Sequence, residues 1–240
     1  MSLLLLAAML AADPAPVVGS WVGNDTIASP DGKLIFARGK DGVEAIDVAT
    51  GKLIWVTKGA NRLAGVSGTT VIAWAADAKK PNAFSIVAMD SGTGKELFKS
   101  DAITLPDWAN TAKEHGFSFR TAARSDGKQV VVVWQANTFY AGDAAPPPEV
   151  EKAARREALG SVVIDATTGK TTIEDRKPKD SEFGTFNNKV GALEFQIEEQ
   201  IPAFKPGVPM VTTVTLTAMR DGKAVWSRDL AGNPWSPPRP

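Results

Sequence analysis

Few residues of this chain stand where chemistry would need them. Histidine occurs once, at His115, so a multi-histidine metal site is excluded and no second imidazole could support a Ser-His-Asp relay. His115 lies in the run Asp107–Gly116, which reads as a short helix with Asp107 as N-cap and Gly116 as its stop. A histidine in the last turn favours the negative end of the helix dipole, so capping is its expected role. Cysteine is absent, which excludes disulfides, thiolate metal sites, covalent c-type haem attachment and cysteine nucleophiles. Glu194, Glu198 and Glu199, with Asp175, Asp180 and Glu182, form the one acidic concentration. Calcium would need several such oxygens, but no Asp-x-Asp-x-Asp spacing occurs, and charge on a strand edge also serves to block sheet-to-sheet aggregation. No phosphate-cradling glycine loop, zinc motif or nucleophile elbow is present. The expectation is therefore no catalytic residue and no metal ligand.

The carboxylates that do recur at regular spacing are Asp47, Asp90 and Asp165. Each opens a six-residue phrase: Asp47-Val-Ala-Thr50-Gly51-Lys52, Asp90-Ser-Gly-Thr93-Gly94-Lys95 and Asp165-Ala-Thr-Thr168-Gly169-Lys170. A worn copy stands at Asp221-Gly222-Lys223-Ala-Val-Trp226. An Asp at a chain reversal can accept from backbone N–H groups two residues on, and Gly takes the positive φ of a tight turn without steric cost. Three residues after each lysine comes Trp55, Phe98, Ile173 or Trp226, which returns to the sheet and is expected to bury itself between neighbouring units. Turn geometry accounts for the whole spacing, so these aspartates read as structural.

A repeated phrase fixes architecture, because each copy is a supersecondary unit that must stack on its neighbours. Lys52 and Lys95 lie 43 positions apart, close to the length of a four-stranded propeller blade. The next intervals, 75 and 53, leave room for inserts near Leu105–Gly116 and Ala141–Leu159. Short β-branched and aromatic runs between Asp-Gly and Thr-Gly turns mark consecutive hairpins. Strands are expected at 17–22, 33–38, 43–48 and 53–57; at 62–66, 70–75, 84–89 and 96–99; at 117–122, 129–135, 161–165 and 171–174; and at 185–186, 190–198, 210–219 and 224–228. The fold class is thus all-β, a β-propeller-like array of about four four-stranded blades (17–58, 62–100, 116–175 and 183–228) with short helical insertions. Pro146–Leu159 reads as one such helix, with proline at its start and acids in its first turn. It is expected on the rim, either packed over a blade edge or serving as a docking element. The tail 229–240, with Trp235 and four prolines, reads as a cap or latch and not as a central strand.

At these residues the chain resembles the PQQ-like β-propeller repeat family. Ala45-Ile-Asp47-Val-Ala-Thr50-Gly51-Lys52-Leu-Ile-Trp55 carries the family's blade-end phrase throughout. Residues 88–98 keep it with Phe98 for Trp, 163–173 keep the turn and lose the aromatic, and 218–226 keep the Trp and lose the leading Asp and Thr. The resemblance implies one of two functional poles: quinoprotein dehydrogenases, eight-bladed, holding pyrroloquinoline quinone and calcium over the central axis, or non-enzymatic scaffolds of the outer-membrane assembly kind. This chain has half the blades of the enzymes and lacks the vicinal cysteines several of them place against the quinone, which points to the scaffold branch without a cofactor.

Lys plus Arg equals Asp plus Glu at 27 each, so the chain has no net charge and no basic footprint for nucleic acid. Leu3–Ala12 is an uncharged apolar run, too short to span a bilayer, for which about 20 residues are needed. Residues 1–12 read as a signal peptide cleaved after Ala12, leaving 13–240 as a single domain in the periplasm or outside the cell; a buried N-terminal strand or helix in a cytoplasmic protein is the alternative. The expected function is a non-enzymatic exported scaffold for protein–protein or cell-envelope contacts, with a central funnel holding a quinone, sugar or metal as the alternative. Four blades could also pair with a second copy into a larger ring, making a homodimer.

Overall fold

Runs of alternating apolar and polar residues, broken by glycines at positive φ, fold into consecutive antiparallel hairpins. The computed structural model describes residues 18–23, 25–60, 62–111, 116–140, 146–200, 210–230 and 234–235. The expected signal segment, His115, the loop 202–209 and most of the tail lie outside the described residues.

The first sheet has the sequential order β1 (Ser20–Gly23), β2 (Thr26–Ala28), β3 (Leu34–Arg38), β4 (Val43–Asp47) and β5 (Leu53–Thr57). It holds five strands where four are expected, because the chain reverses at Asp25 (φ 52°) and Thr26–Ala28 pairs as a strand of its own. The second sheet contains β6 (Arg62–Ser67), β7 (Thr70–Ala76), β8 (Ala83–Asp90), β9 (Glu96–Lys99) and β10 (Ile103–Thr104), the last two both pairing β8. In the third, β11 (Phe117–Ser125), β12 (Gln129–Thr138), β13 (Arg156–Asp165) and β14 (Thr171–Glu174) run in order. The fourth sheet orders β15 (Lys189–Val190), β16 (Leu193–Gln200), β18 (Thr213–Arg220) and β19 (Lys223–Leu230). A short ladder of β17 (Met210–Val211) and β20 (Pro234–Trp235) pairs part of the tail antiparallel to the start of the penultimate long strand.

Four expectations are corrected. The helix in the second insert, α1, spans only Pro148–Ala154 and buries none of its residues. Thr138 ends it: its hydroxyl donates to the Ala154 carbonyl at 2.6 Å and accepts from Arg156 N–H at 3.0 Å, and from Arg156 onward the chain is held by the ladder to β12. The expected strand 190–198 is split at Gly191 (φ 59°), so that Val190 faces Leu193 across a hairpin. Phe186, expected in a strand, makes a single parallel bridge to Trp21 and is exposed. The run at Asp107 is a turn over its described part, and Leu105 and Ala109 fold down onto the second sheet's core.

Apolar clusters join the sheets in the order fourth, first, second, third. Leu193, Phe195, Leu216 and Ala218 of the fourth pack on Ile35, Ile46 and Val48 of the first sheet and the turn that follows it. Phe36, Val43 and Ala45 meet Leu63, Val71 and Val87 of the second. Ile72, Phe84 and Ile86 meet Val132, Trp134 and Val162 of the third. Among the described residues no apolar cluster joins the third sheet to the fourth. The fourth sheet's other face is polar: Thr215 bonds Asp229 and Thr217 bonds Ser227 across it, beside exposed Glu194 and Gln196.

Candidate functional site

The three full phrases build one turn three times. Asp47 accepts from the Thr50 N–H at 2.8 Å and the Thr50 hydroxyl at 2.6 Å, while the Gly51 N–H donates to the Asp47 carbonyl at 2.8 Å. Asp90 repeats this with Thr93 and Gly94, and Asp165 with Thr168 and Gly169. The main bond reaches the third residue and not the second, because the threonine offers both an N–H and a hydroxyl there; Asp165 accepts from the Thr167 N–H as well. The Thr50 and Thr93 hydroxyls hold the Asp47 and Asp90 carboxyls below their ordinary range, and the Thr168 N–H does the same for Asp165. Such carboxylates are poor proton acceptors at neutral pH. The fourth turn is a different object, a two-residue hairpin with Asp221 at φ 49° and Gly222 at φ 74°.

Two of these turns receive a tryptophan from the neighbouring sheet. Trp55 Nε1–H donates to the Ser91 carbonyl and Trp226 Nε1–H to the Val48 carbonyl, both at 2.9 Å. Each ring lies flat against the turn glycine: a Cβ added at Gly94 would sit 2.6 Å from Trp55, and one at Gly51 2.6 Å from Trp226. Glycine is therefore required twice over, for its positive φ and for the ring. The ring reaches the turn through a β-bulge. Trp55, Phe98 and Trp226 stand opposite Ala45, Ala88 and Ala218, each next to a register shift that pushes Ile54, Leu97 or Val225 outward. Phe98 packs on the core shared by the second and third sheets, and there the backbone closes the contact, the Asp101 N–H donating to the Gly169 carbonyl.

The third sheet breaks the pattern. Its outer pair carries no bulge, so Ile173 faces Val162, one step away from the position its counterparts occupy. A one-residue slip turns a side chain to the opposite face. Ile173 is 80 % exposed and is not buried between sheets, and a Cβ at Gly222 would touch nothing.

A cavity of about 440 Å³ opens where Trp21 and Ile27, Ala64–Val66 and Ala122–Arg124 converge on Ser181, Glu182 and Gly184. Its walls are close-set backbone: a Cβ at Gly65 would overlap the Ala123 carbonyl, and one at Gly184 the Trp21 ring. The polar groups are few. Arg124 is exposed at the rim, and Glu182 accepts from Arg176 at 2.9 Å and from the Lys179 N–H at 2.8 Å. Arg176 holds the Glu182 carboxyl low, with the Arg124 charge adding to it. The acids grouped in the sequence are thus dispersed. Asp180 pairs with Arg120 at 2.8 Å, Glu182 with Arg176, and Glu194 accepts from Asn188 at 3.2 Å on the fourth sheet. Among the described residues no three of His, Cys, Asp and Glu come together as a metal site, and no helix is long and apolar enough to cross a membrane.

One surface escaped the reading of the sequence: Leu53, Ile54 and Val56 on β5 are 43 %, 50 % and 43 % exposed. Aligning the repeats position by position would have shown it. Comparison with models of known protein families and with curated proteins found no match.

Proposed function

We propose that the protein is a non-enzymatic, exported scaffold whose four sheets are blades of a propeller-like arc, presented to another protein or a cell-envelope component. The observation that carries this reading is the distribution of exposed aliphatic side chains. Ile54, Leu97, Ile173 and Val225 stand exposed on the outer strands of all four sheets, whereas the charged groups nearest the core are spent on structural pairs such as Glu44–Arg228 and Glu182–Arg176. An aliphatic side chain repeated at the exposed edge of every sheet offers apolar surface to a partner.

A quinone held with calcium does not fit the cavity. Calcium takes six or more oxygen ligands, and among the described residues the wall offers one carboxylate, Glu182, which is engaged by Arg176. The polar outer face of the fourth sheet supports an arc that ends against water, as terminal repeats do, and argues against a ring completed by a second copy. The second reading, a small-molecule site, is favoured by the cavity volume, which falls within the usual range of about 300–1,000 Å³.

Cell fractionation with in-cell cross-linking tests the scaffold reading. An envelope-fraction protein with discrete adducts to another protein supports it, and a cytoplasmic protein free of adducts rules it out. Light scattering separates a monomer from the paired ring.

A further inference from the structure

We infer that β5 is a docking strand for an apolar, acid-flanked segment of a partner protein, an inference that rests on the scaffold reading. The four repeats supply the comparison. One residue after the phrase's lysine they carry Leu53, Glu96, Thr171 and Ala224, and four residues after it Val56, Lys99, Glu174 and Ser227. Only the first repeat places aliphatic residues at both positions, and both are exposed. The bulge adds Ile54 as a third, pushed outward between them. The fold does not demand this. The same strand elsewhere in the molecule tolerates charge at the same positions, so the apolar set is particular to β5.

The chemistry of the occupant follows from the edge and its ends. β5 is the terminal strand of its sheet and pairs only β4 among the described residues, which leaves an edge of backbone groups beside the three side chains. An extended segment can use both at once, the backbone for affinity and alternate side chains for specificity. Exposed Lys52 and Lys58 bracket the strand. Asp47, near Lys52, has its carboxylate turned into the Thr50 bonds. A second copy is a poor occupant: antiparallel self-pairing about Trp55 sets Lys52 against Lys58 at both ends, and like charges directly opposite are destabilising. A segment of aliphatic residues with Asp or Glu at its ends reverses that penalty.

The test places a photo-reactive benzoylphenylalanine at Ile54, Leu97 or Val150 of the full chain in its own cells and sequences the cross-linked peptides. The expected result is an adduct at Ile54 that maps to an aliphatic, acid-flanked segment of another protein, and whose yield falls about fivefold in K52E/K58E. An adduct to a second copy, to a segment without flanking acids, or one indifferent to the charge reversal overturns the inference. Adducts at Leu97 or Val150 without one at Ile54 reject this surface and keep the scaffold. No adduct at any position rejects both.

Discussion

The junction between the first and second sheets and the outer edge of the third begin from the same six-residue phrase and end differently. In the first, a bulge sets Trp55 opposite Ala45 and delivers its ring to the Gly94 turn. In the third, the ladder runs on without a bulge, and Ile173 ends in water. The turns share the same Asp–Thr and Gly–Asp bonds, so the turn alone does not fasten one sheet to the next. The bulge does, together with a small residue across from the ring, alanine at 45, 88 and 218; the third sheet has the larger Val163 at that place in the phrase, opposite Thr172.

The largest effect that would break this comparison is loss of a docked ring. Trp55→Ala and Trp226→Ala should each cost about 3 kcal/mol, the low end for a tryptophan because the rings are half-buried, whereas Ile173→Ala should stay within about 0.5 kcal/mol. Urea unfolding measures all three, and equal losses would refute the distinction. Ile173→Trp should give no gain, since the register aims the side chain away.

Next come the glycines. Gly94→Ala meets both a positive φ and the Trp55 ring and should cost about 2 kcal/mol or more. Gly222→Ala meets only the φ and should cost about 1 kcal/mol.

A smaller effect is the acid response of the turns, which the third sheet shares with the others. Asp47, Asp90 and Asp165 are depressed in the folded chain, while an unfolded Asp titrates near about 3.9. Between those values the unfolded chain binds more protons, so the stabilisation is present above the unfolded value and lost as pH falls through the folded ones. Changing all three to Asn should flatten the decline in unfolding free energy below about pH 5; an unchanged slope would remove the turns from the acid response. The smallest effect is expected at the charged segment after β14. Arg176→Gln should cost under about 1 kcal/mol, and salt should erase the difference, while Trp226→Ala stays salt-insensitive.

Much of the architecture was legible because hairpins declare themselves through Asp-Gly and Thr-Gly turns. β3, β5, β9 and β14 fall within one residue of their expected bounds. Misses came where tertiary pairing overrode local signals. Residues 155–159 follow a good helix start, yet the ladder to β12 claims Arg156–Leu159 as strand. The three residues of β2 were too few to show a period. The fastening tryptophans were named in the sequence, but their acceptors, Ser91 and Val48, could not be, because carbonyl partners are chosen by the bulge. Ile173 was misplaced for the same reason: the phrase is written identically whether or not the ladder slips.

The Trp226–Val48 contact spans 178 residues of chain. As the polypeptide emerges from the ribosome, Ile35, Ile46 and Val48 must wait uncovered until the last strands have been made. Contacts so distant in sequence make folding slow and prolong exposure of apolar surface. The first sheet is therefore the part of the newborn chain most in need of a chaperone, and it is released from that need only by the final hairpin.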